Sequence, residues 1–437
     1  MSAFLRFAGV GDTYEELYQW SVLHPERFWP LMWKFAEVIA DEPGHKDDPW
    51  DDVIIGLGRM APPDPELGPK WFTGSRLSFA ENLLRHRDEQ EALVAWNENG
   101  RQRSLTYAGL YREVACVASA MRAHGIKTGD RVAGFIPNIP EALVAMLAAS
   151  SIGAVWSSCS PDFGVQGVLD RFGQIEPRIL FCADSYVYGG KRIDCLTRVA
   201  EVVANISAIE KIVVVGYGDS NPDISGLHGA VMWQDFTDES ATEVKFERLP
   251  FDHPLYILYS SGTTGLPKCM VHGAGGTLLQ HYKELLLHTD LGRSDRVFYF
   301  TTCGWMMWNW LASALAVGST LILYDGSPFA PNHDSLWAMA AAEKLTVFGT
   351  SAKYLAMCEK RDMLPGTKHD LSALKTILST GSPLAVNSFD FVYSRIKEDV
   401  LLASISGGTD IVSCFAGGNP IGPVYRGELQ CRALAMA

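Results

Sequence analysis

Residues 259 to 268 read YSSGTTGLPK and crowd Ser, Thr and Gly between an apolar run and a Pro-Lys pair. Such residues suit anion binding. Glycines let the backbone approach closely, hydroxyls and main-chain N–H groups donate to phosphate oxygens, and a lysine adds positive charge. Ser260, Ser261, Thr263 and Thr264 would supply hydroxyls, Gly262 and Gly265 the close approach, and Lys268 the charge. The same composition also suits a plain turn. A Walker A loop is excluded, because Leu266 and Pro267 separate the second Gly from Lys268 and Cys269 follows it.

Other stretches carry chemistry-bearing residues in comparable places. STGSPL, 379–384, follows the apolar run KTIL, and SISGGTD, 404–410, follows VLLAS. TTCGWMMWNW, 301–310, is rich in Trp and Met, which by themselves suit a buried helix start. YGGKRID, 188–194, offers Lys191 and Arg192 in a loop ahead of an expected helix, although an exposed basic pair is ordinarily solvated surface. His272, His281 and His288 lack metal-type spacing and read as structural.

These stretches need a scaffold to position them. HPLYILYS delivers the first one from a strand, the place where open α/β sheets bind ligands. From residue 91 onward, short β-branched runs alternate with amphipathic segments: RVAGFI, RILFCA, KIVVVG, then RVFYF, TLILY, TVFGT, KTILS and VLLAS. Alternation of this kind predicts βαβ units, an α/β fold with largely parallel sheets. Asn99-Gly100 predicts a hairpin between ALVAW and RSLTY, with Thr106 capping the next helix. Ahead of this, Thr13 with Glu16 and Ser78 with Glu81 are spaced as capping boxes. Phe28, Met32, Phe35 and Ile39 predict one apolar helix face.

The polar, irregular segment 219–247 marks a boundary between two stacked α/β subdomains of similar size. The expected division is a helical extension over 1–85, a first α/β subdomain over 86–250, a second over 251–420, and the start of a further β unit over 421–437.

Composition narrows the partners. With 437 residues, 47% hydrophobic content and a formal net charge of -13, the chain reads as a folded multidomain protein that repels nucleic acid and anionic membranes. The nine cysteines include no Cys-x-x-Cys pair and read as reduced thiols of a cytoplasmic protein. The apolar window 142–156 is too short and too polar to span a bilayer.

The complete order YSSGTTGLPK resembles the phosphate loop of the AMP-forming adenylating enzymes, the superfamily of acyl-CoA synthetases, luciferases and peptide-synthetase adenylation domains. STGSPL resembles their adenine-binding turn, which implies Gly381, Ser382 and Pro383 against the base. SISGGTD resembles the motif ending in Thr and an acidic residue, which implies Gly408 and Thr409 near phosphate and Asp410 on Mg²⁺, where the family usually has Glu. By the same resemblance, Ser260 to Gly265 and Lys268 hold ATP, and Lys268, Thr264, Thr409 and Asp410 carry the catalysis. Trp305, Met306, Met307, Trp308 and Asn309 would line the acyl pocket, with Asn309 a donor to a keto oxygen. Lys191 and Arg192 would meet the phosphates of CoA.

KWFTGSRLSFAENLLRH and SSCSPDFGVQGVLDRFGQIEPRILF are similar to the branch that activates acetate and acetoacetate. KCMVHGAGGTLLQH, GWMMWNW, YDGSP and SISGGTDIVSCF resemble its acetoacetate-activating members. Acetate-activating members close a small pocket with Trp at the position of Gly407, so its glycine implies room for acetoacetate. The resemblance implies acetoacetate, ATP and coenzyme A as substrates, with Mg²⁺ and without nucleic acid or membrane. It covers essentially the whole chain, yet family members continue into a β-barrel subdomain and a mobile lid. The expectation is therefore a truncated chain of weak activity; a ligase for acetate, propionate or butyrate and a non-catalytic nucleotide-binding remnant stay open. No oligomeric state follows from the sequence.

Overall fold

A computed structural model describes residues 1–41, 48–58, 68–260 and 265–436. The apolar runs form two seven-stranded sheets, each covered by helices. The first runs in the order Ala230–Met232, Lys211–Val215, Ile179–Ala183, Arg131–Phe135, Val155–Cys159, Pro254–Ser260 and Lys268–Gly273. The second runs Leu401–Ser404, Thr376–Thr380, Val347–Ser351, Arg296–Tyr299, Thr320–Asp325, Glu91–Asn97 and Gly100–Thr106. Pairing is parallel throughout except in the terminal hairpin of each sheet. Strands such as Ile179–Ala183 are buried at every position, as expected of parallel strands covered on both faces. The α/β expectation holds.

Sheet membership does not follow the expected division at residue 250. The Asn99-Gly100 hairpin forms as read, but it closes the second sheet by pairing Leu93 with Leu321. The hairpin that contains the Gly/Ser/Thr loop closes the first sheet instead, where Tyr256 pairs with Trp156. Each sheet thus takes its last hairpin from the other half of the chain. Strand propensity marks that a segment pairs and leaves its neighbour open.

The Thr13–Glu16 capping box is complete. At Ser78 only half a box forms: the hydroxyl caps Glu81 N, while the Glu81 carboxylate takes both Arg248 Nε and Nη2 at 2.7 Å. The N-terminal helices bury Phe4, Leu17, Phe28 and Met32 and grip the far end of the chain. Tyr14 Oη donates to the Arg432 carbonyl, Tyr18 Oη to Met436 O at 3.0 Å, and Ala435 N to Ser21 Oγ at 2.8 Å. Cys431–Arg432 there edges a small antiparallel sheet with Ser413–Gly417 and Ser406–Gly408. No helix among the described residues is long and apolar enough to cross a membrane.

Candidate active site

The stretch 259–268 lies between two antiparallel strands, with Ser260 opposite Lys268. Ser261, Gly262, Thr263 and Thr264 lie outside the described residues. Gly265 follows at φ +98°, a conformation that other residues rarely adopt. Lys268 is exposed and makes no ion pair among the described residues, so its charge is available to a ligand.

The second and third stretches sit side by side because their strands are neighbours. Ser379 is in register with Ser404, Ile405 N donates to Ser379 O at 2.8 Å, and Thr380 Oγ1 donates to Ile405 O at 3.1 Å. Gly381, at φ +88°, turns the chain so that Gly381, Ser382 and Pro383 form an exposed lip. Asp410 is exposed, while Thr409 is half-buried. His272, on the strand that leaves the Gly/Ser/Thr loop, is buried near enough to the Thr409 backbone and Asp410 to feel both, which brings the first stretch close to the third. Burial, reinforced by His281, pushes its pKa down to about 4 although the Thr409 backbone and Asp410 pull upward, so the ring is neutral near pH 7. Its Nε2 has no partner among the described residues. Within the first sheet His272 pairs with Tyr256, and its buried, neutral ring accords with the structural reading from spacing.

Three of the stretches converge on one cavity of about 420 Å³. Trp305, Met306 and Met307, Gly381, Ser382 and Pro383, and Gly407, Gly408 and Thr409 all line it. Ser413 and Cys414, at the end of SISGGTDIVSCF but given no role by it, also line the cavity, as does Glu428, which no motif had singled out. Lys191, Arg192, Ser260 and Lys268 do not line it.

Trp308 and Asn309 do not line the cavity. Met306–Ser313 is helical, and successive residues on a helix turn by about 100°. Met306 and Met307 therefore face the opening, while Trp308 donates to Asn138 Oδ1 at 3.0 Å inside the core. Asn309 is 1% exposed, with neither amide atom partnered among the described residues.

Gly407 lines the cavity, but its missing side chain answers a different constraint. A Cβ there would lie 2.0 Å from Ser413 O and 2.7 Å from Cys414 Cα, so the glycine permits the close approach of two backbone segments. At Gly408 the nearest atom to such a Cβ is Asp410 Oδ2 at 4.0 Å. Gly408, rather than Gly407, is the position where a side chain has room.

Lys191 and Arg192 lie on a short hairpin strand, Lys191–Asp194, and not in a loop. Arg192 Nη2 bridges Asp184 at 2.9 Å and its Nε donates to Ser185 Oγ at 2.9 Å. Arg192 is thus engaged with a buried carboxylate, whereas Lys191 is exposed.

A family model described as "AMP-binding enzyme" matches residues 79–422. The chain is 49% identical over 434 residues to acetoacetyl-CoA synthetase of Danio rerio, covering 97% of this chain and 63% of that protein. It is 51% identical over 434 residues to acetoacetyl-coenzyme A synthetase of Rhizobium meliloti, covering 99% and 64% respectively. The solved acetoacetyl-CoA synthetase from Streptomyces lividans superposes with a TM-score of 0.92 at 40% identity, over 99% of this chain and 66% of that one. The chain thus spans just under two thirds of the length of these curated relatives. Because the family match runs across both sheets and through the three stretches that meet at the cavity, the chain belongs to the AMP-binding enzyme family.

Proposed function

We propose that the chain activates acetoacetate with ATP and transfers the acyl group to coenzyme A. The observation that carries this reading is the convergence of 305–307, 381–383 and 407–409 on one cavity, in a chain 49% and 51% identical to acetoacetyl-CoA synthetases. A cavity of about 420 Å³ is in the range of small-molecule sites. Its apolar side suits an acyl chain and its glycine-rich side suits a nucleotide.

In the first step a carboxylate oxygen of acetoacetate bonds to the α-phosphorus of ATP as the bond to pyrophosphate breaks. Lys268 and the backbone around Ser260 and Gly265 hold the phosphates, and the lip of Gly381, Ser382 and Pro383 borders the base. Thr409 contributes its hydroxyl to the α-phosphate. In the second step the CoA thiolate attacks the acyl carbon, forming the thioester as the bond to AMP breaks. Positioning and charge stabilisation supply the acceleration, which accounts for a site of glycines and donors without an obvious base.

Magnesium would offset phosphate charge. Among the described residues no three metal-ligating side chains converge, but this ion ordinarily takes one or two carboxylates and fills its shell with water and phosphate oxygens. Exposed Asp410, next to Thr409, fits that requirement.

A second reading, activation of another short acid, draws support from Gly407, whose absent side chain reports backbone packing rather than acyl size. A panel of acetate, propionate, butyrate and acetoacetate, read by ATP-dependent pyrophosphate release, separates the two. Preference for acetoacetate supports the first reading; equal or greater rates with another acid replace it by the second.

A further inference from the structure

The helix Ala274–Tyr282 continues through the wider turns of Lys283–His288 and carries His281 and Glu284 one turn apart. Both are buried, at 0% and 3% exposure. Each joins the same two elements. His281 Nε2 lies 2.8 Å from the Val412 carbonyl, which only accepts, so this nitrogen carries the proton. Its Nδ1 then accepts from the Ser313 hydroxyl at 2.7 Å. Burial holds the imidazole neutral, the form that donates and accepts at once. Glu284 Oε2 accepts from Trp310 Nε1 at 2.9 Å, while its Oε1 accepts from Cys414 N at 2.8 Å and from the Ser413 hydroxyl. The Lys283 ammonium, 3.9 Å from Glu284 Oε1, balances the charge.

Trp310 and Ser313 belong to the helix whose first turn, Met306 and Met307, is one wall of the cavity. Ser413 and Cys414 line the cavity beside Gly407, to whose strand they are paired. The geometry points to His281 and Glu284 as positioning residues that fix the gap between these walls and so set which acid fits. Neither touches the open volume. A buried carboxylate with three donors tolerates little displacement, because any donor pulled away leaves a desolvated acceptor. An acyl pocket separates acids differing by one methylene by roughly 10- to 200-fold, so a small change in the gap is visible in selectivity.

This inference rests on the acid-activation reading, and the test keeps the two apart. Glu284→Gln places an amide N–H₂ against either Trp310 or the Ser413–Cys414 pair, and Ser313→Ala removes one partner of His281. Two quantities are compared with the unaltered chain: the acetoacetate-to-acetate ratio of kcat/KM for pyrophosphate release, and amide hydrogen exchange. The expected result is a fall in that ratio of about tenfold, carried by KM for the acid with KM for ATP unchanged. Exchange at Val412–Cys414 should rise selectively while Thr320–Asp325 stays protected. If the unaltered chain is selective and both variants keep its ratio, the inference is overturned and the proposed function stands. If the unaltered chain releases no pyrophosphate with any acid, the proposed function fails. Exchange then decides alone: selective exposure of Val412–Cys414 supports the brace, and uniform or unchanged exchange overturns it.

Discussion

Gly407 and Ser413 face each other so closely that a Cβ on the first would sit 2.0 Å from the carbonyl oxygen of the second. The obstacle is backbone and does not rotate away. Gly407→Ala should therefore destabilise the chain by about 1–3 kcal/mol, the usual cost of overpacking, read as a lower Tm. Gly408→Ala, with nothing nearer than 4.0 Å, should leave Tm unchanged while narrowing the cavity and slowing turnover. Equal Tm values for the two variants would contradict this assignment.

Lys268 is exposed and carries no ion pair among the described residues. Lys268→Ala should keep Tm within the usual small range for surface changes, about 0.5 kcal/mol in stability, and lower the rate of adenylation by roughly 10² to 10³. A variant with near-normal pyrophosphate release would remove Lys268 from the phosphate site.

Lys191 and Arg192 are adjacent but do different things. Arg192→Ala removes the cation paired with the buried Asp184 carboxylate and should lower Tm, although Tyr217 N and Gly218 N, at 2.7 and 2.8 Å, still donate to Oδ1 and Ser185 Oγ, at 2.8 Å, to Oδ2. Lys191→Ala should leave Tm alone and raise KM for CoA. If neither substitution alters KM for CoA, the hairpin has no part in CoA binding.

Asp325 is buried with Oδ2 unpartnered among the described residues, and burial pushes its pKa up to about 7, against the pull of Tyr217 and the Asn138 backbone. A carboxyl raised in the folded state stabilises the protein most at low pH. That contribution fades as pH rises from about 4, its unfolded value, to about 7. Asp325→Asn lacks the fading term. The Tm of the variant minus that of the unaltered chain should therefore increase steadily between pH 5 and 7.5, as tested by parallel melts. A constant difference would show that Asp325 does not titrate in this window.

Sequence periodicity and turn chemistry were enough to find most strands of both sheets, the Asn99-Gly100 hairpin and the Thr13–Glu16 box, because these depend on neighbours along the chain. The stretches 301–310, 379–384 and 404–410 were likewise visible as motifs, and the parallel register of Ser379 with Ser404 explains why two of them meet. What was not legible depends on partners far away in sequence. Glu81 is spaced to complete a capping box, yet Arg248 takes its carboxylate. Trp308 and Asn309 share a motif with Met306 and Met307, but the helix turns them inward. Gly407 looks like a widened pocket until Ser413 is placed beside it. His281 read only as structural and Glu284 carried no signal, since their partners Val412 and Cys414 lie about 130 residues on.

Attack of a carboxylate on the α-phosphate of ATP is the step on which the proposed function turns. Acetoacetate labelled with ¹⁸O in its carboxylate, turned over with ATP and CoA, tests it directly by mass analysis of the products. Attack at the α-phosphorus followed by thiolysis leaves one carboxylate oxygen on AMP, so one ¹⁸O per AMP and none in pyrophosphate is the expected result. Label appearing in inorganic phosphate alongside ADP, or AMP formed without label, would contradict it.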